Sequence, residues 1–222
     1  MKARIDRGKP KPKYKYYDAL HDGLKRREVE AFDAIAIDYD TKLLYTVRKI
    51  MGWGRRRLLR FYASILTTHA QMHGDWQDSK YRAMRYQLRK LDVDYDGMAS
   101  AADRWAMGLA AQMDRYTQPQ ALGVDGVIVR QAEEAARESG REYELLNIYI
   151  LYFDFGCTRP QLQRIMNELA LHRRTYEYRR DADEHMRMRD ELLAIGVNVI
   201  ALQNDADACI AAELQAEKNG GE

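Results

Sequence analysis

The chain has 222 residues, 46% of them hydrophobic and 32% charged, which excludes a disordered, collagen-like or low-complexity protein. Two cysteines, Cys157 and Cys209, provide neither a disulfide framework nor a four-ligand zinc site. The formal net charge is only +2, but the charge is placed unevenly.

In chain order, residues 1–17 form a basic arm whose Lys2, Arg4, Arg7, Lys9, Lys11, Lys13 and Lys15 face Asp6 alone. Pro10 and Pro12 keep the arm from being helical. Lys13 and Lys15 alternate with Tyr14, Tyr16 and Tyr17, a mixture suited to phosphate contact and base stacking or, equally, to packing on the first helix. A helical unit follows over 18–117 and a second over 122–217, with a tail at 218–222. Few prolines and many Ala, Leu, Arg, Met and Glu predict an all-α fold. The first unit reads as a long helix over 25–51, a glycine turn at Gly52-Trp53-Gly54, a helix over 55–72, a third over 77–91 with Met84, Leu88 and Leu91 at helical spacing, and a last over 99–115. Thr117-Gln118-Pro119-Gln120 breaks the chain. The second unit reads the same way, with helices over 127–155, 159–178, 181–195 and 203–217. Tyr45, Tyr149, Trp53, Phe61, Trp76 and Trp105 fall on expected inner faces.

A shift of 104 residues aligns 26–107 with 130–211 without a gap and gives fifteen identities. The densest run pairs Tyr45, Gly52, Arg55, Leu58 and Arg60 with Tyr149, Gly156, Arg159, Leu162 and Arg164. A tandem duplication of a roughly 100-residue, four-helix unit is the expectation.

The glycine turn is the first candidate for chemistry. Gly52 and Gly54 precede Arg55, Arg56, Arg57 and Arg60, the order of a helix-hairpin-helix motif. Glycines let a phosphate approach the backbone, the next helix points its N–H groups outward, and the arginines add charge. A plain turn between packed helices explains the same residues. With Leu58, Leu59 and Phe61 taken as the buried stripe, the arginines are expected to face solvent and to be dispensable to the fold. The second copy has Thr158, Pro160 and Gln161 where the first has Gly54, Arg56 and Arg57, so its anion affinity is expected to be weaker.

A second candidate is Asp92-Val93-Asp94-Tyr95-Asp96-Gly97, ending at Asp103, which fits the acid and glycine positions of an EF-hand loop. Ala99 and Asp103 depart from that pattern, and helix capping explains the acids as well. A third is His69 with His73, four residues apart and near Asp75; a metal there would need His21, His172 or His185 brought in by the fold. No nucleophile elbow, phosphate-binding loop or dinucleotide fingerprint is present, so no enzyme activity and no cofactor are expected.

The repeated aromatic–glycine–Arg–Leu–Arg unit, carried by Gly52, Arg55, Leu58 and Arg60 and by Gly156, Arg159, Leu162 and Arg164, resembles small helical accessory proteins of phages and prophages of gut Firmicutes. The resemblance implies a non-catalytic protein in the bacterial cytoplasm that binds nucleic acid or a nucleoprotein complex. Its alternative implication is an inhibitor of a host defence nuclease, anti-CRISPR-like, acting by direct protein binding. The longest mostly apolar run, Leu145 to Phe153, is too short for a membrane span, and no secretory signal is visible.

Overall fold

The computed structural model describes residues 36–72, 77–112, 140–179 and 182–204. All the regular structure in them is helical: α1 (36–51), α2 (Arg55–Met72), α3 (Gln77–Lys90), α4 (Tyr95–Gln112), α5 (140–153), α6 (Arg159–Arg179), α7 (Ala182–Leu193) and α8 (Val199–Asn204). The basic arm with Lys9, Lys11, Lys13 and Lys15, the 117–120 break, His21, His73, Asp75 and Trp76 lie outside the described residues. No described helix is long and apolar enough to cross a membrane.

The turns explain where the helices stop. Gly52 and Gly156 sit at φ +67° and +65°, in the left-handed region, and their N–H groups donate to the carbonyls of Arg48 and Tyr152 at 2.8 and 3.2 Å. α3 and α7 end alike. Asp92 and Gly196 take positive φ, while Val93 and Val197 donate to the carbonyls of Leu88 and Leu192, both at 2.9 Å, and bury their side chains. Asp92 is the only non-glycine with positive φ among the described residues, and aspartate tolerates that region better than most side chains. α2 and α6 begin 104 residues apart, as do α4 and α8, and the helix order recurs at that shift.

Two helix starts are earlier than the sequence predicts. α4 begins at Tyr95 and α8 at Val199, not at 99 and 203, because Asp94 and Asn198 cap them immediately after the inserted valine. The Asn198 side chain accepts from the Ala201 N–H at 3.2 Å, and the Asp94 side chain folds over Gly97. Leu91 consequently falls beyond α3, in the turn, and is exposed. Trp105 is also 41% exposed, since α4 turns Met98, Ala102 and Ala106 inward and leaves Trp105 on the neighbouring face. Tyr149 is only half-buried, whereas Tyr45, Trp53 and Phe61 are core as expected.

The halves interleave rather than form two lobes. α1 is buried continuously from 40 to 47 and α5 from 144 to 148, so over those stretches the two helices are enclosed on all sides. Their equivalent tyrosines, Tyr39 and Tyr143, meet edge to face at 5.4 Å. α4 of the first half packs along α6 of the second. The Gln163 side-chain amide donates to the Met98 carbonyl, and the Tyr95 hydroxyl to the Arg141 carbonyl. From the other side α7 meets α1, with His185 Nδ1 2.8 Å from Asp38.

Asp40, on α1, is 4% exposed and gathers three donors from three other helices. Its carboxylate accepts from the Tyr62 hydroxyl on α2 at 2.9 Å, the Tyr143 hydroxyl on α5 at 3.2 Å and the Gln203 amide on α8 at 2.7 Å. Burial raises the Asp40 pKa, opposed by these three bonds, and burial together with the facing carboxylate raises both tyrosines. Asp40→Ala strands one buried and two half-buried donors, so an equilibrium denaturation should show a loss of about 3 kcal/mol, against about 1 kcal/mol for Tyr62→Phe.

Candidate nucleic-acid interface

The contacts of Arg55 and Arg159 bring both glycine turns to one end of the molecule. Arg55 Nε donates to the Gly196 carbonyl at 3.1 Å, and Arg159 donates to Asp92 at 3.1 Å. Positions 92 and 196 are equivalent under the 104-residue shift, so the two arginines reach reciprocally into the opposite halves. Arg57 donates to the carbonyl of Phe155, two residues beyond the end of α5, and lies 4.4 Å over the Trp53 ring. Beneath it, Trp53, Phe61 and Phe155 form an aromatic triad with centroids 5.0–5.9 Å apart, which fixes the first turn against the second.

Arg55, Arg56, Arg57 and Arg60 are all exposed, as the buried stripe of Leu58, Leu59 and Phe61 requires. They are not equally dispensable to the fold: Arg55 and Arg57 tie the halves together. Arg56 has no hydrogen bond or ion pair among the described residues. Arg48 reaches the Trp53 carbonyl at 3.4 Å, and Lys49 pairs with Glu168 at 3.3 Å. Carbonyl oxygens occupy the donors of Arg48 and Arg57 without cancelling their charge. Residues 48–60 contain six cations and no acid.

The four helix starts gathered here differ in their capping. Asp94 and Asn198 cap α4 and α8, and Gln161 accepts from both the N–H and the hydroxyl of Thr158 at α6. α2 starts after Gly54, which has no side chain to cap it, and the space a Cβ would occupy at Gly52 or Gly54 is open. The substitutions at Thr158, Pro160 and Gln161 thus close in the second turn what the first leaves open.

The acids of the EF-hand-like stretch have other partners in the structure. α4 runs through Asp96 and Asp103, so no twelve-residue loop exists. Asp92 pairs with Arg159, Asp94 caps α4, and Asp96 lies 3.4 Å from Arg85 and 3.7 Å from Arg89. Among the described residues no three histidines, cysteines or acids cluster as metal ligands would. His69 meets the Tyr143 ring edge-on at 5.6 Å.

A half-buried polar cluster on α1, α6 and α7 was not visible in the sequence. Lys42 pairs with Asp38 at 2.6 Å, beside the His185 contact. Burial would raise the Asp38 pKa, but His185 and Lys42 hold it below the usual carboxylate value. His172 is buried 3.9 Å from Glu184, and burial with help from Lys42 and Lys49 lowers its pKa to about 4, against the pull of Glu168 and Asp38. Burial also raises the Cys157 thiol to about 11, so this cysteine is a protonated core residue at neutral pH.

A scan of family models and searches of curated proteins and of solved structures found no match to the chain. The functional reading rests on the geometry.

Two outcomes follow from these contacts. Arg55→Ala and Arg57→Ala should each lower the melting temperature by about 2–4 °C, whereas Arg56→Ala should leave it unchanged. Below pH 6.5 an unfolded His172 takes up a proton that the folded one refuses until about pH 4, so its contribution to stability falls as pH drops through that window. Between pH 7 and 4 the wild type should lose about 3 kcal/mol more than His172→Gln, measured by denaturant titration at each pH.

Proposed function

We propose that the protein is a non-catalytic binder of nucleic-acid backbone, with phosphate docking at the start of α2. The observation that carries this reading is the exposed Arg56 beside a sterically open helix start that Gly54 has no side chain to cap, in a stretch of six cations without an acid. A helix N-terminus favours an anion through its dipole and its outward N–H groups. Arg48 and Arg57, held by carbonyls, keep their positive charge on the turn. Arg60 adds a fourth guanidinium one helical turn beyond Arg56 and Arg57. Contacts of this kind are made to phosphate, and a grip on phosphate is tolerant of sequence.

Binding should therefore weaken steeply with salt. Measured by fluorescence anisotropy with mixed-sequence oligonucleotides across a salt series, Arg56→Ala should lower the slope of log K against log salt by about one and weaken all sequences alike. Arg164→Ala, at the second turn, should change little. A wild-type protein that fails to bind single or double strands at about 50 mM salt would sink the reading.

A further inference from the structure

The face made by α3 and α5 beside the basic turn differs from its counterpart in the other half. The Tyr149 hydroxyl bonds to Gln87, and five residues beyond Gln87 Asp92 bonds to Arg159. α3 and α5 thus run side by side with their C-terminal ends at the same end of the molecule. Lys90 and Phe153 stand three and four residues past the Gln87–Tyr149 bond, about one helical turn further. Phe153 is 42% exposed, yet its ring is held between Tyr149 at 4.4 Å and Tyr152 at 5.2 Å. Tyr86 is 60% exposed, with the Lys90 ammonium 4.7 Å from its ring centre. Lys90 has no ion pair among the described residues.

The equivalent face on α1 and α7 carries Lys49 in place of Phe153 and Asp190 in place of Tyr86. There Lys49 pairs with Glu168, and Arg187 with Glu191 at 3.4 Å. On that face Lys49 and Arg187 each pair with an acid, whereas on the α3–α5 side Phe153 and Tyr86 are exposed and Lys90 has no ion pair among the described residues.

We propose that the Phe153–Tyr86 face stacks the bases of a single strand whose phosphates run on to the arginine turn, so that the ligand is single-stranded nucleic acid. This rests on the backbone-binding reading above and adds to it the strandedness of the ligand. Continuity supports it: Phe155, two residues beyond Phe153, accepts the Arg57 hydrogen bond and packs on Trp53, which leads from the platform to the turn. The chemistry supports it as well. A base offers a π-face to a ring held in place, while a cation at the rim meets the neighbouring phosphate. Duplex bases are already stacked on one another and cannot reach Phe153. An apolar protein partner is a poorer fit, because two rings rimmed by an ammonium fall far short of the roughly 800 Å² per side that a stable interface buries.

The test compares a 20-nucleotide oligo-dT with a 20-base-pair duplex by anisotropy across a salt series, for the wild-type full chain and for variants at Phe153, Tyr86 and Arg56. The wild type should prefer the single strand. Phe153→Ala combined with Tyr86→Ala should weaken the single strand at least tenfold, leave duplex affinity within about twofold and keep the salt slope. Phe153→Trp, with Tyr86 retained, keeps a stacking ring and should hold single-strand affinity at the wild-type level. Both rings are exposed, and an unchanged melting temperature verifies that the variants fold. Arg56→Ala should weaken both ligands, which separates loss of the backbone grip from loss of the platform. Equal wild-type affinity for the two ligands, or a double variant that binds oligo-dT normally, overturns the platform and leaves the grip standing. Absence of binding to either ligand overturns both. A concentration-dependent dimer in sedimentation that Phe153→Ala abolishes assigns the face to a second copy and overturns the proposal.

Discussion

A single buried carboxylate, Asp40, holds the arrangement together. Ordering it costs desolvation, and that cost is offset only when Tyr62, Tyr143 and Gln203 arrive from three other helices with their donors aimed at it. The three donors come from both halves, so the carboxylate is satisfied only in the interleaved arrangement. Apolar packing alone would tolerate sliding of α1 against α5. The directional bonds fix the register of the two central helices, and that register brings both glycine turns to the same end.

The proposed interface follows from that register. Reciprocal contacts of Arg55 and Arg159 use similar residues for a shared structural task. The two ends then diverge: Gln161 and Thr158 close one helix start, while Gly54 leaves the other open. The near-symmetric frame therefore presents one basic corner rather than two. Arg57 serves both purposes, since its carbonyl partner secures the fold without removing its charge.

Much of the frame was legible in the sequence. Glycine followed by an arginine-rich apolar stripe marked the turn and the start of α2, and the 104-residue shift gave the helix order. The acids of 92–96 left an EF-hand loop and helix capping both open, because alternate carboxylates have the same spacing whether they bind a common ion or perform separate tasks, here an ion pair, a cap and a second ion pair. Trp105 and Leu91 misled because helical spacing leaves two neighbouring faces eligible for burial, and the choice falls to the partner helix. Asp40 gave no sign of its role: an acid flanked by Tyr39 and Thr41 looks like a surface position until Gln203 is brought to it. Contacts between residues so far apart leave no periodic trace. The Phe153 platform was hidden for a related reason, since its rings belong to elements more than sixty residues apart.

The 163-residue separation between Asp40 and Gln203 has a consequence for synthesis. Translation delivers the chain from its N-terminus at about 5–20 residues per second, so α1 leaves the ribosome long before α8 exists. During that interval its buried stretch has no partner from the second half to enclose it. The first half is thus committed to a waiting period in which Leu43, Leu44 and Val47 lack their final neighbours.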